Sequence, residues 1–209
     1  MKLKNILATL LCCIVFAANA QDKSAVVTVT KGNLLYVGVQ NDIEVCLTGY
    51  TWDDGIEVSA SNGEITEGES NGHFKLSVKS AGSVKVNVIR NGKSVASQVF
   101  RVKKLPVPVV KVNGKSGGNI SRATLSSQKG INVVLEDFDY DVKFHVTQFT
   151  VAAYIKGIAT EAVSTSDQFT AEQKDIIKKA NKFVIIKDIK AQSPDGTEFD
   201  LQSTAFIVE

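Results

Sequence analysis

Cysteine is scarce in these 209 residues: there are three, and two of them, Cys12 and Cys13, fall in an apolar leader. With the leader removed only Cys46 remains, which excludes an internal disulfide and leaves stability to packing. Histidine is as rare, with His73 and His145 the only two, too few beside one cysteine to suggest a structural zinc site. An excess of one charge sign is also missing. Without Lys2 and Lys4 the 24 basic residues fall to 22, against 22 acidic ones. A near-neutral chain has no broad field with which to grip nucleic acid or anionic lipid. No stretch after position 20 is apolar enough to span a membrane. There is no Gly-x-Ser-x-Gly nucleophile elbow. The "NGKSGG" of residues 113–118 ends like a phosphate-binding loop, but Val109 stands where that loop needs its first glycine, and no capped helix is expected to follow. No catalytic, cofactor-binding or metal-binding residue is therefore predicted.

What is present begins with "MKLKNILATLLCCIVFAANA". A basic start, an apolar run from Ile6 to Ala18 and the small-x-small step Ala18-Asn19-Ala20 predict a cleaved secretory signal over residues 1–20. Acylation at Cys12 or Cys13 is the rival reading, although neither has the small residue expected just before a lipidated cysteine. The exported chain, about 190 residues, is long enough for one large domain or two modest ones.

From Val26 to Val102, apolar and polar residues alternate with a period of two in "VVTVT", "IEVCL", "FKLSV", "VKVNV" and "VFRV". Asn62-Gly63, Asn71-Gly72, Ala81-Gly82 and Asn91-Gly92 separate these runs, and Asn-Gly tolerates the positive φ of tight hairpins. Short strands at even spacing without a helix predict an immunoglobulin-like β-sandwich over residues 21–104. Pro106 and Pro108 cannot sit inside a central strand and mark a stiff joint or an edge strand. Residues 105–209 are expected to form a second β-rich, sandwich-like domain with one packed helix around 171–180. Thr170 and Gln173 have the spacing of a capping box there, and Ile176, Ile177 and Ala180 make an apolar stripe. The fold class is thus mainly β, in two tandem domains.

Two stretches could carry a site. In "EDFDYDVKFHVT" (136–147), Phe138, Tyr140, Val142, Phe144 and Val146 alternate with Asp139, Asp141, Lys143, His145 and Thr147. That predicts a strand with Asp139 and Asp141 on its wet face. A calcium loop starting at Asp137 would need glycine and glutamate where Val142 and Gln148 stand. Beyond Thr147 the parity changes, which a β-bulge near Thr147-Gln148 or a strand buried on both sides would explain. In "GYTWDDG" (49–55), Tyr50, Trp52 and Asp53 could meet a sugar or a protein groove, or Trp52 could plug the open end of the sandwich. Tyr50, Trp52, Asp53, Asp139 and Asp141 are the candidate partner contacts. Cys46 lies out of phase with Ile43, Val45 and Leu47 and is expected to face outward.

"LEDFDYDVKFHVTQFTV" (135–151), with "VSASNGEI" (58–65), "FRVKKLPVPVVKVNGKSGGNISRATL" (100–125) and "IKAQSPDGT" (189–197), resembles in order and spacing the C-terminal region of the GldM (PorM) family. The resemblance implies two β-rich periplasmic domains from the type IX secretion and gliding machinery of Bacteroidetes. It also implies homodimers, and envelope protein partners that include secretion-ring components, with no catalytic residues. Members are anchored in the inner membrane, whereas this chain is expected to carry a cleavable signal. The resemblance therefore implies a stand-alone, exported copy of the distal module, periplasmic or associated with the outer membrane. The rival reading is an envelope carbohydrate-binding or adhesin-like module acting through Tyr50 and Trp52.

Overall fold

The period-two alternation of the first half resolves into eight strands: β1 (Ser24–Val29), β2 (Leu34–Tyr36), β3 (Gln40–Thr48), β4 (Ile56–Ala60), β5 (Glu64–Glu67), β6 (His73–Ser77), β7 (Gly82–Arg90) and β8 (Lys93–Lys103). The structure is a computed structural model that describes residues 23–209. The expected signal segment, with Cys12 and Cys13, lies outside the described residues. The strands form two four-stranded sheets, ordered β1-β3-β6-β5 and β2-β8-β7-β4. Alternation turns Ile43, Val45 and Leu76 of one sheet toward Val84, Val86, Val88 and Phe100 of the other, and these side chains share one buried core. The result is an immunoglobulin-like sandwich. At the β7–β8 hairpin Asn91 and Gly92 take φ values of 49° and 75°, the positive values for which an Asn-Gly pair is suited.

Asn41 fixes the turn between β2 and β3. Its fully buried side chain accepts from Tyr36 N at 2.8 Å and donates to Tyr36 O at 2.9 Å, Val39 O at 3.2 Å and Leu76 O at 3.0 Å. Replacement by alanine strands the buried Leu76 carbonyl and three partly buried groups of residues 36–39 at once. Asn41→Ala is expected to lower stability by about 3 kcal/mol, since each stranded buried group costs roughly 1–3 kcal/mol. Urea unfolding measures it, and a loss below about 1 kcal/mol would mean the turn holds without the amide.

The second half contributes β9 (Val109–Lys111), β10 (Gly118–Ile120), β11 (Asn132–Val134), β12 (His145–Ile155), β13 (Ile158–Ser164), β14 (Phe183–Gln192), β15 (Glu198–Leu201) and β16 (Thr204–Val208). A sheet ordered β10-β16-β14-β12-β13, with β15 also paired to β14, is joined by the small β9–β11 ribbon. Phe149, Val151, Val184, Ile186 and Phe206 on one face of the sheet pack with Leu125, Ile131, Ile176 and Ile177 in a second core. The pairing of β12 with β14 shifts register between Val146 and Thr150, so the parity change comes from a bulge-type irregularity.

Helix α2 (Ala171–Lys179) starts with the reciprocal cap that its sequence predicts: Thr170 Oγ1 accepts from Gln173 N, and Gln173 Oε1 accepts from Thr170 N. The fully buried Gln173 also donates to Ala162 O and Phe149 O, pinning α2 to β12 and β13.

Two expectations are corrected. The second domain has two helices, not one. Helix α1 (Arg122–Ser127) follows the "NGKSGG" stretch, capped by Ser121, whose hydroxyl accepts from Thr124 N at 3.0 Å. With six residues and only Leu125 buried, α1 is too short to write an apolar stripe into the sequence. Part of its anchoring comes from Arg122, which donates to Ile177 O and Ala180 O at the end of α2. The second correction concerns residues 136–144, which form no strand; β12 begins only at His145. Alternation is present, but the segment finds no ladder partner, and Asp137 sits in a turn at φ 51°.

Candidate interaction surface

Strands β12 and β14 carry apolar side chains on both faces, and only one face meets the core. Along β14, Val184 and Ile186 point inward, so Phe183 and Ile185 point outward. Ile185 is opposite Ala205 of β16 on one side and Ala152 of β12 on the other, and Phe183 is opposite Ile207. Tyr154 continues the same face along β12 and is opposite Ala159 of β13. Helix α2 packs against the opposite face of β12 and β13. Among the described residues nothing covers this outer face: Tyr154 is 63% exposed, Val163 54%, Phe183 51% and Ile185 40%. Large apolar side chains exposed side by side on one sheet face, as distinct from scattered singly, are the kind of surface that marks interaction sites.

Charge frames the patch and is paired on it. Lys187 meets Glu161 across β12 at 2.7 Å, and that hydrogen bond holds the Lys187 ammonium above its usual range. Lys182 lies 5.7 Å from the Phe183 ring centre.

The residues singled out from sequence are placed apart from this face. Trp52 opens a short 3₁₀ turn, packs against the first core with its ring 5.7 Å from Phe74, and lies under Gly72. That is the plug geometry. Tyr50 is half-buried between Lys23 and Arg90, each about 5.5 Å from its ring (5.4 Å and 5.5 Å). Asp53 is exposed, while its neighbour Asp54 accepts from Thr51 N and pairs with Arg90. The Thr51 amide, with Arg90 adding to it, holds Asp54 below the ordinary carboxylate range. Trp52→Ala is expected to lower the stability of the first domain by about 2 kcal/mol, less than for a fully buried ring. A thermal melt with an unchanged midpoint would contradict the packing role.

The acids of 136–141 remain solvated, though not as the wet face of a strand. Glu136, Asp137, Asp139 and Asp141 are all exposed, and Glu136 pairs with Lys111 at 2.7 Å. Asp141 lines a 520 Å³ groove beside Val133, Val142 and Phe144. Phe138 and Tyr140 are drawn to a different place: their rings pack on Tyr36 of the first domain. Cys46 is exposed, as its parity predicts, and so are His73 and His145. Among the described residues no three His, Cys, Asp or Glu side chains gather as a metal-binding group.

The outer face was legible in principle. "FVIIK" in β14 and "VAAY" in β12 are two-sided apolar strands, and only one layer of helices is available to cover them.

A family model described as the GldM third domain matches residues 24–103, and one described as the GldM C-terminal domain matches residues 106–209. No curated protein matches the chain at a significant level. Among solved structures, similarity extends to the Yersinia pseudotuberculosis adhesin InvE at 9% identity, over 88% of this chain and 58% of that one, with a TM-score of 0.31. The chain therefore spans 58% of the length of that adhesin. Domains 6–7 of the surface layer protein SbsC match at 9% identity over 88% of this chain and 98% of theirs, TM-score 0.31. A Bacteroides ovatus protein of a mixed-linkage glucan utilization locus, SGBP-B, solved with a heptasaccharide, matches at 9% identity over 91% and 46%, TM-score 0.28. Likenesses at these scores say nothing about function.

Proposed function

Since this chain belongs to the GldM family through both of its domains, we propose that it is a non-catalytic periplasmic interaction module related to the distal part of the GldM/PorM component of the type IX secretion and gliding machinery. The observation that carries this reading is the uncovered apolar face of Tyr154, Phe183 and Ile185. A water-facing sheet surface of that composition is stabilised when a partner removes it from water. The partners are protein components of the cell envelope, secretion-ring components among them. The domain boundary belongs near Lys104, where β8 has ended and the two prolines follow. Among the described residues no helix is long and apolar enough to cross a membrane.

Affinity purification of a tagged copy from its native host, after mild crosslinking, tests the assignment. Recovery of envelope or secretion-ring components by mass spectrometry supports it, and their absence removes the partner assignment. The free edge of β13 favours pairing between copies, which light scattering on the exported chain measures directly. A carbohydrate-binding module remains the rival, and a Trp52-dependent hit on a glycan array would favour it over the protein-binding reading.

A further inference from the structure

Phe138 and Tyr140 lie two residues apart in a bend that follows the Asp137 turn, and both rings leave the chain on one side. That side faces the first domain. The Phe138 ring meets Tyr36 edge-on at 4.8 Å, Tyr140 stands 6.1 Å from Tyr36, and the two second-domain rings are 5.6 Å apart. Lys31 closes the cluster: its ammonium lies 4.7 Å from the Tyr140 ring centre, donates to Asp139 O at 3.2 Å and reaches Asp42 at 3.8 Å. Tyr140 is only 9% exposed, yet it belongs to neither domain's core.

A second contact lies beside this one. Gly38, in the turn between β2 and β3 at φ 81°, approaches the 193–197 turn so closely that an added Cβ would stand 3.0 Å from Asp195 Cγ. Asp195 is held there by Ser193 and Thr197, which hydrogen-bond its carboxylate. Two separate stretches of the second domain, 138–140 and 195, therefore meet residues 31–42 of the first. The linker, with Pro106 and Pro108, adds little freedom of its own.

We infer that the two domains move as one body, locked by an aromatic clamp in which Phe138 and Tyr140 of the second domain grip Tyr36 and Lys31 of the first. Tandem domains move relative to each other by default, and apolar contact across the junction, here supported by the second contact at Gly38 and Asp195, restrains that freedom. Among the described residues the Tyr140 hydroxyl is the buried side-chain oxygen that lacks a hydrogen-bond partner. The clamp therefore holds through ring contact, in spite of the hydroxyl. Burial, with Asp42, Tyr36 and Asp139 nearby, pushes the phenol above its ordinary range and keeps it neutral. For a module that meets an envelope partner, rigidity means that a pull on one domain is delivered to the other.

Residual dipolar couplings on the labelled two-domain chain read the inference directly. The wild type is expected to fit one alignment tensor across both domains. Phe138→Ala with Tyr140→Ala, both outside regular structure, should need two tensors, with alignment in one domain reduced by about two-fold or more. Amide dispersion in each domain should persist, because neither ring is part of a core. Tyr140→Phe should keep the single tensor. If the double variant loses native dispersion, Lys31→Glu, at an exposed turn beside Asp42 and Asp139, gives the same readout. Two tensors in the wild type, or one tensor surviving removal of both rings, would overturn the clamp.

Discussion

Gly130→Ala is expected to destabilise the second domain by about 4 kcal/mol, at the upper end for a change of one methyl group. The reason is space. A Cβ at residue 130 would overlap the Asp167 carbonyl oxygen and lie 2.7 Å from Asp167 C and from Gln168 Cα. All three are backbone atoms, so no side chain can turn aside. The crossing is also tied on both sides, by Ile131 N donating to Asp167 O at 2.8 Å and Phe169 N to Lys129 O at 2.8 Å. Separating the two strands of chain would withdraw Ile131 and Phe169 from the core they share with Phe149. Urea unfolding followed by tryptophan-independent circular dichroism should show a midpoint shifted well below wild type. A shift worth less than about 1 kcal/mol would mean that the close approach is not needed.

The other large effect is on binding and leaves the fold intact. Phe183→Asp with Ile185→Asp should lower recovery of envelope partners at least about ten-fold, because a carboxylate in the centre of an apolar interface is left desolvated and unpaired. Both side chains face water in the isolated chain, so stability should change by only about 0.5 kcal/mol per site. The pair of readouts separates a surface role from a structural one. Equal loss of stability and capture would move these residues from the docking face to the core.

The first sandwich could be read from its sequence because each strand has one partner face, and alternation records that face faithfully. Val84, Val86 and Val88 are an example, all fully buried at every second position of β7. The cap of α2 was equally plain, since Thr170 and Gln173 need only each other. Residues 136–144 misled for a physical reason. Alternation reports which side chains leave water together, not what covers them, and Phe138 and Tyr140 are covered by another domain rather than by a neighbouring strand. Gly130 and α1 were hidden because a close backbone approach and a six-residue helix depend on distant residues such as Asp167 and Ala180. The bare apolar face lay between these cases. Apolar residues on both parities of β14 are visible in sequence, but a strand buried on both sides reads the same way as one with a bare face.

Photocrosslinking from position 185 in the native host tests the docking face most directly. A photoreactive residue replacing Ile185 should give a discrete adduct with an envelope protein, while the same group at Asp200, exposed on β15, should not. No adduct at 185, or equal labelling from both positions, would contradict the account.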